Sequence, residues 1–283
     1  MRRKNATRPG RAAPPVALTI AGSDSGGGAG IQADLRTFAA FGVHGTSVLT
    51  ALTAQNTRGV DAIHTPPARF LRAQLDAVFD DFDVGAAKLG MLATPAIARV
   101  VGEVLAARPR LPVVMDPVLV ATTGARLGTT QLASRLRALF TQASLVTPNI
   151  PEAESLLGRR IRSAAAMRDA AARLLDDGAR AVLLKGGHLA GERASDLLLT
   201  RDGAHWFHQR RMPGEFHGTG CTLSAAIAAC LARGDALEDA VATAIGFVQD
   251  ALRAGYRPGR GALNVLDTTR AGMGAGVRAR RRR

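Results

Sequence analysis

The sequence predicts an α/β fold with a central, mainly parallel sheet and helices on both of its faces. Short runs of β-branched and aliphatic residues alternate with longer helical patterns along most of the 283 residues, as in sheets whose strands are joined by crossover helices. No linker rich in proline, serine or charge interrupts this alternation. We therefore expect one domain, 14–269, between two basic, disordered tails, 1–13 and 270–283.

Eight segments are predicted as strands because they are short and mostly apolar. In chain order they are Val16–Ala21, Ser47–Thr53, Ala86–Leu89, Val113–Met115, Leu145–Thr147, Ala181–Leu184, Asp196–Thr200 and Ala204–His208. Six longer segments carry helical patterns and are long enough to serve as crossovers. They are Ile31–Phe41, Pro67–Phe82, Pro95–Ala107, Ala164–Asp177, Thr219–Ala232 and Leu237–Ala254.

The formal net charge of +14 belongs mostly to the two ends of the chain. Five basic residues lie in 1–13 and six in 270–283, neither segment contains an acidic residue, and the body therefore carries only +3. One Trp and one Tyr offer little aromatic stacking. We expect no specific nucleic-acid function, although short basic tails attract polyanions in a salt-sensitive way.

The basic start and the apolar run Val16–Ala21 do not form a signal peptide, because the run is short and follows Pro14 and Pro15. No apolar stretch reaches the roughly 18 residues of a membrane-spanning helix. The two cysteines, Cys221 and Cys230, lie on opposite sides of one predicted helix and cannot pair within it. We expect a cytoplasmic protein without membrane spans.

Five polar segments follow predicted strands, which is where ligands bind in parallel α/β sheets. The first, Gly22–Gly30, is so rich in glycine that its N–H groups can approach a ligand closely. It lacks the Gly-Lys-Ser/Thr ending of a P-loop and the acidic ribose partner of a dinucleotide fold, and an ordinary tight turn is the alternative.

The second segment holds the adjacent amides Gln55 and Asn56. Gln55 can pair with the donor and acceptor edges of a heterocycle, or both amides can satisfy a turn at the strand end.

The third and fourth segments place oxygen ligands at strand ends. Asp116 follows one predicted strand, and Asn149 and Glu152 follow the next. Carboxylate and amide oxygens suit Mg²⁺ and its bound waters. The alternative is purely structural, with an Asp-Pro turn at Asp116 and a helix that carries an acid in its first turn at Glu152.

The fifth segment, His217–Leu223, is glycine-rich and runs directly into an apolar helix. N–H groups at such a helix start face an anion and can stabilise a transferring phosphoryl group. At this helix N-terminus we expect the pKa of Cys221 to be lowered. Cys221 is then a nucleophile for acyl transfer with His217 as its base, or alternatively a buried, inert thiol. A nucleophile explains neither the glycine-rich turn nor the acidic strand ends.

Four of the sequence motifs together carry a resemblance to a known family. They are Ala21–Leu35, Thr50–Thr57, Lys88–Met91 and His217–Cys221. With them the chain from 16 to 255 resembles the ribokinase-like superfamily, and more closely the hydroxymethylpyrimidine/phosphomethylpyrimidine kinases of thiamine biosynthesis. The resemblance implies a single ribokinase-like α/β domain, Mg²⁺ as cofactor, ATP beside the turn Gly218–Gly220, a pyrimidine beneath the first loop and, as is usual in such families, a homodimer.

Position by position, the resemblance implies three groups of site residues. The pyrimidine pocket would contain Gly22, Asp24, Gln55, Met91 and Val118. Nucleotide binding would involve Asp116, Asn149 and Lys185, with Mg²⁺ held through water by Glu152. Catalysis would involve Gly218, Thr219, Gly220 and Cys221. Most ribokinase-like sugar kinases have an aspartate base where Cys221 stands.

The resulting hypothesis is an ATP-dependent phosphorylation of 4-amino-5-hydroxymethyl-2-methylpyrimidine, first to the monophosphate and then to the diphosphate. Two alternatives stay open: a pyridoxal or pyridoxine kinase, and a non-catalytic pyrimidine- or nucleotide-binding regulator whose basic tails contact nucleic acid. Two segments depart from the family pattern, Val120–Gly124 and Gly259–Asn264.

Overall fold

The computed structural model describes residues 13–119 and 130–272. Its strands are β1 Val16–Asp24, β2 His44–Asn56, β3 Gly59–His64, β4 Val84–Leu89, β5 Val113–Met115, β6 Leu145–Val146, β7 Ala181–Leu184, β8 Arg193–Thr200, β9 Ala204–Arg210, β10 Phe216–His217 and β11 Asn264–Val265. Its helices are α1 Gly30–Ala40, α2 Ala68–Asp81, α3 Pro95–Ala106, α4 Thr130–Ala138, α5 Ile150–Leu157, α6 Ala164–Asp176, α7 Thr219–Ala232 and α8 Leu237–Arg253, with a 3-10 turn at Phe140–Gln142.

Nine of the strands form one sheet in the order β3-β2-β1-β4-β5-β6-β7-β8-β9. The six strands from β2 to β7 in this order run parallel. Strands β3, β8 and β9 pair antiparallel at the two edges, and β10 and β11 form a separate parallel pair. The predicted, mainly parallel sheet is confirmed.

The sheet separates two apolar cores, because successive residues of a strand point to opposite faces. In β7, Val182 and Leu184 belong to the core that contains α2 to α6, whereas Leu183 belongs to the core that contains α1, α7 and α8. All three side chains are fully buried, and each contributes about 2 kcal/mol of transfer free energy. Helices cover both faces, as predicted.

Helix α7 is the element that connects the core to the ends of the parallel strands. Its residues Thr222–Cys230 are all buried, and it packs on β1, β4 and β5. Small residues allow this close approach, since a Cβ at Gly85 would lie 3.0 Å from the carbonyl oxygen of Ala232. The N-terminal turn of α7 consequently lies against Asp116, just past the end of β5.

Several elements of the fold were not predicted from the sequence. Strand β3 is exposed from Asp61 to His64, so it lacks the alternation of apolar and polar residues that marks a half-buried strand. Helix α5 has only eight residues, which is too short for a helical period to stand out. Strand β2 begins at His44 instead of Ser47 and ends at Asn56 instead of Thr53.

Parts of the sequence predictions fall outside the described residues. They are the segment Val120–Gly124 and the tails, except for the inner ends of the tails at 13 and 270–272. In the inner end of the C-terminal segment, Ala271 is 5% exposed and packs in the second core. Among the described residues, no helix combines the length and the apolar character needed to span a membrane.

Candidate active site

A cavity of about 600 Å³ opens at the carboxyl ends of the parallel strands. All thirteen site residues named from the sequence line it. The cavity walls come from the carboxyl ends of β1, β2 and β4, from the segments after β1, β4, β5, β6 and β7, and from the first turn of α7, with further residues from β8 and α8. A parallel sheet brings these chain-distant segments to one edge.

Asp24 organises the glycine-rich turn after β1. Its Oδ1 accepts a hydrogen bond from the N–H of Gly26 and its Oδ2 accepts one from the N–H of Ala29, both at 2.8 Å. Burial raises the pKa of Asp24, but the hydrogen bonds from His217 and Ala29 outweigh it, and the pKa lies below its usual value. An ionised Asp24 therefore holds the turn against the cavity.

Gln55 and His217 form a polar network with Asp24. The Gln55 Oε1 accepts a hydrogen bond from the Thr53 hydroxyl at 3.1 Å, and its Nε2 lies 2.9 Å from Nε2 of His217. The same His217 nitrogen lies 3.2 Å from Oδ2 of Asp24. With a proton on Nε2, His217 donates to Asp24; without it, Nε2 accepts from Gln55. A heterocycle that paired with Gln55 would replace its hydrogen bond with Thr53 or with His217.

Met91 and Val118 supply the apolar part of this end of the cavity. Gly22 leaves room for Met91, because a Cβ at Gly22 would lie 2.8 Å from its Cε. The Thr50 hydroxyl donates to the Met91 carbonyl oxygen at 2.5 Å and fixes the backbone there. The Val118 N–H donates to the Asp116 carbonyl oxygen at 2.8 Å, which links this wall to the charged end of the cavity.

A partly exposed lysine and two buried carboxyl groups lie at the other end of the cavity. The Lys185 Nζ lies 2.8 Å from Oδ1 of Asp116 and 3.9 Å from Oε2 of Glu152. Burial lowers the pKa of Lys185, but the charges of the two carboxylates outweigh this and raise it, so Lys185 stays protonated. Burial and the negative charge of Asp116 raise the pKa of Glu152 to about 7, although the positive charge of Lys185 lowers it.

Asn149 and Glu152 also shape the start of α5. The Asn149 Oδ1 accepts from the Glu152 N–H at 2.8 Å, and the Glu152 Oε2 accepts from the Asn149 N–H at 2.7 Å. This reciprocal pair is a capping box. The structural alternative for Glu152, an acid in the first turn of a helix, is thus present, and Asn149 and Glu152 also line the cavity.

Glu152 and Asp116 fit a magnesium ion that is held in part by phosphates. Mg²⁺ usually takes one or two carboxylates and fills its octahedron with water and substrate oxygens. Within 13–119 and 130–272, no group of three or more His, Cys, Asp or Glu side chains forms a metal cage. A Mg²⁺ here would therefore depend on bound nucleotide for much of its coordination.

The first turn of α7 closes the cavity between its two ends. Gly218 is its N-cap with φ +83°, in the left-handed region, and no side chain caps the turn. A Cβ at Gly218 would lie 2.0 Å from the Gly28 carbonyl oxygen, and one at Gly220 would lie 3.0 Å from Nζ of Lys185. The glycines thus bring backbone N–H groups beside Lys185, where an anion would bind.

The expected low pKa of Cys221 is wrong. Burial raises the pKa of its thiol to about 11, although Lys88 and a hydrogen bond with the Gly30 backbone lower it. The helix N-terminus does not compensate for this burial. A protonated thiol disfavours the acyl-transfer alternative, which needs a thiolate nucleophile. Cys221 and Cys230 are both free cysteines.

Among the cavity residues that were not assigned there from the sequence, His217 and Lys88 are the two that form polar networks beside the site. His217 was considered only as a base for Cys221, and Lys88 had no role at all. Both belong to the quoted motifs His217–Cys221 and Lys88–Met91. The available signal for both was a polar residue at the end of a strand. Their partners could not be identified from the sequence, because His217 contacts Asp24 and Lys88 contacts Asp34, which are distant in the chain.

Comparisons with known proteins agree with this architecture. The fold matches that of Bacillus subtilis pyridoxal kinase, solved as an ADP complex, with a TM-score of 0.84 and 32% identity over 92% of this chain and 99% of that one. The fold and this likeness define a ribokinase-like α/β kinase.

Residues 24–266 match the family described as phosphomethylpyrimidine kinase, and the chain belongs to this family. It is 46% identical over 250 residues to the hydroxymethylpyrimidine/phosphomethylpyrimidine kinase of Haemophilus influenzae, covering 86% of this chain and 93% of that protein. It is 50% identical over 246 residues to the thiamine biosynthesis bifunctional protein ThiED of Geobacter sulfurreducens, covering 86% of this chain and only 50% of that longer protein.

Proposed function

We propose that this kinase transfers the γ-phosphoryl group of ATP to 4-amino-5-hydroxymethyl-2-methylpyrimidine, and then phosphorylates the monophosphate, in thiamine biosynthesis. The observation that carries this proposal is the meeting of all thirteen sequence-identified residues in one cavity. The family match and the relatives' names support the same activity. A homodimer and a cytoplasmic location remain predictions.

The pyrimidine would bind between Gln55 and the apolar wall of Met91 and Val118. Gln55 has both an amide donor and a carbonyl acceptor, which matches the ring nitrogen and amino group of an aminopyrimidine. Asp24 and Gly22 would keep the turn and the backbone close to the ring.

ATP would bind at the opposite end of the cavity. The apolar side chains of Leu223, Val248 and Leu252 line the cavity and would pack on the purine. The phosphates would meet Lys185 and the N–H groups of Gly218–Gly220. When bound at Asp116 and Glu152, Mg²⁺ would neutralise phosphate charge.

The two phosphorylation steps make different demands on Cys221. In the first, the substrate hydroxyl oxygen attacks the γ-phosphorus, the bond to the leaving ADP oxygen breaks, and the hydroxyl proton passes to the minor fraction of Cys221 that is ionised, since a thiol with a pKa of about 11 is mostly protonated near neutral pH. In the second, the acceptor is already an ionised phosphate oxygen, so no proton has to be removed. Only the first step therefore requires a base.

Incubation of the purified protein with ATP, Mg²⁺ and one acceptor at a time tests this function. The acceptors are the hydroxymethylpyrimidine, its monophosphate and pyridoxal, and products are resolved by mass. We expect turnover of the first two. Turnover of pyridoxal alone would favour the second candidate, which the likeness to a pyridoxal kinase structure supports. Binding without turnover would favour the regulator.

Replacement of Gln55 with leucine should raise KM for the pyrimidine by roughly 10- to 100-fold, because buried polar atoms of the ring lose their partner. ATP affinity should stay within about twofold of the parent. Asn56→Ala is the matched control, since Asn56 is exposed and does not line the cavity. Steady-state kinetics with each substrate varied gives both values. An equal loss of ATP affinity would contradict the assignment of Gln55.

A further inference from the structure

An exposed arginine is hydrogen-bonded along the loop that follows Lys185. This β7–β8 loop comprises residues 185–192 and joins two neighbouring strands of the sheet, and Arg211 comes directly after the last residue of β9. The Arg211 guanidinium donates to three carbonyl oxygens of the loop, from Nε to Gly191 at 3.1 Å, from Nη1 to Gly187 at 2.5 Å and from Nη2 to Leu189 at 2.6 Å. All three guanidinium nitrogens are therefore used on one loop.

The same loop forms part of the cavity wall. Lys185, Gly187 and His188 line the cavity, at the end where the phosphates of ATP are proposed to bind. Burial and the positive charges of Lys185 and Arg211 lower the pKa of His188 below its usual value, so its ring is neutral at neutral pH. The contacts of Arg211 thus reach residues that an ATP molecule in the cavity would meet.

The start of the loop is held from β8, but its tip is not held by its own side chains. The Gly186 N–H donates to Oδ1 of Asp196 at 2.8 Å, and a Cβ at Gly186 would lie 1.9 Å from the Ser195 carbonyl oxygen. A Cβ at Gly187 or Gly191 would have nothing within 4 Å. Glycines lose the most conformational freedom when they are ordered, so the tip depends on bonds from outside to keep one conformation.

Arginine is suited to this contact by the shape of its side chain. Its guanidinium is planar and presents its N–H donors in a rigid fork, whereas the lysine ammonium is a compact group on a flexible stem. Arg211 itself is exposed, and a hydrogen bond adds only about 1 kcal/mol to stability. We therefore expect Arg211 to affect the order of the loop more than the stability of the core.

We infer that Arg211 is a positioning residue for nucleotide binding, whose guanidinium holds the β7–β8 loop against the cavity with Gly187 and His188 in place for ATP. A loop that is already ordered loses less conformational entropy when the ligand binds, which increases affinity. The inference deepens the proposed function and rests on it for the place of ATP. The hydrogen bonds between Arg211 and the loop do not depend on the acceptor.

Calorimetric titration of Arg211→Met with ATP and Mg²⁺, without an acceptor, tests the inference. We expect Kd for ATP to rise about tenfold, because ATP then has to order the loop. In the kinase assay, KM for ATP should rise about as much, while kcat at saturating ATP stays within about threefold and KM for the pyrimidine within about twofold of the parent. A residue that only supported the fold would lower the melting temperature and leave Kd for ATP unchanged, and that result would overturn the inference.

Two further variants separate the fork from its charge. Arg210→Met removes the same charge from the neighbouring exposed residue, which does not line the cavity, and should change Kd for ATP less than about twofold. Arg211→Lys keeps the charge without the fork and should still bind ATP at least about fivefold more weakly than the parent. An equal loss in Arg210→Met, or full affinity in Arg211→Lys, would mean that charge alone attracts the nucleotide and would overturn the inference.

Hydrogen exchange of the nucleotide-free protein tests the loop directly. Amides of residues 185–192 should exchange faster in Arg211→Met than in the parent or in Arg210→Met, and unchanged exchange would overturn the inference. Should Arg211→Met not fold, Arg211→Lys decides the question by the same two measurements. A parent that binds ATP more tightly than Arg211→Met, yet phosphorylates none of the acceptors, would support the inference and count against the proposed function.

Discussion

Lys185→Met is expected to lower kcat of both phosphorylation steps by about a thousandfold. Lys185 is the cation between Asp116 and Glu152, and Gly220 brings the N-terminal turn of α7 beside it. Methionine has a similar length but no charge. Its introduction removes the positive charge where the γ-phosphoryl group should bind and leaves the Asp116 carboxylate facing the incoming phosphates. Glu152 would become protonated, because its pKa is already raised to about 7 and Lys185 no longer lowers it. Both steps transfer the same phosphoryl group, so both should lose activity alike.

Lys185→Arg is the control for this substitution. Arginine keeps the positive charge but presents it as a wider, planar group, and should retain more than about a tenth of the parent kcat. Steady-state kinetics with each acceptor, together with calorimetric titration of ATP in the presence of Mg²⁺, separates turnover from binding. If Lys185→Met kept normal kcat and ATP affinity while folded, the phosphates would have to bind elsewhere in the cavity.

The sequence allowed the site to be predicted because the fold gathers strand ends. Asp24, Asp116 and Lys185 are distant in the chain, but each lies at or just after the end of a parallel strand. Parallel strands place such positions at one edge of a sheet. The motifs identified thirteen candidate site residues. The parallel sheet, predicted from the alternation of short apolar and longer helical segments, was then sufficient to expect them at one edge, and all thirteen line one cavity.

The electrostatics of the site could not be predicted in this way. The motif around Cys221 suggested a low pKa because it begins a helix, yet burial raises the pKa of the thiol to about 11. Burial at this depth depends on α1, β4 and α7 packing together, and no local pattern encodes it. The pairing of Lys88 with Asp34 is likewise a tertiary contact, between residues on different elements 54 positions apart. Edge strand β3 was missed because its exposed residues lack a period.

Gly218→Ala should lower kcat more than about a hundredfold and also lower the melting temperature. Gly218 has φ +83°, a conformation that costs other residues about 1–2 kcal/mol. More importantly, a Cβ there would lie 2.0 Å from the Gly28 carbonyl oxygen, so the N-terminal turn of α7 or the glycine-rich turn after β1 has to shift. A shift of the α7 turn moves the N–H groups that are proposed to hold the phosphates, and a shift of the glycine-rich turn moves the segment that is proposed to lie close to the pyrimidine ring.

Gly234→Ala separates backbone strain from displacement of the turn. Gly234, just past the other end of α7, has φ +88°, and a Cβ there would have nothing within 4 Å. Its replacement carries a similar conformational cost of about 1–2 kcal/mol without moving the cavity, so its kcat should stay within about twofold of the parent. Thermal melting and steady-state kinetics of the two variants give the comparison. An equal loss of activity in both would mean that catalysis depends on the general stability of α7, whereas loss only in Gly218→Ala would mean that catalysis depends on the close contact between the N-terminal turn of α7 and the glycine-rich turn after β1.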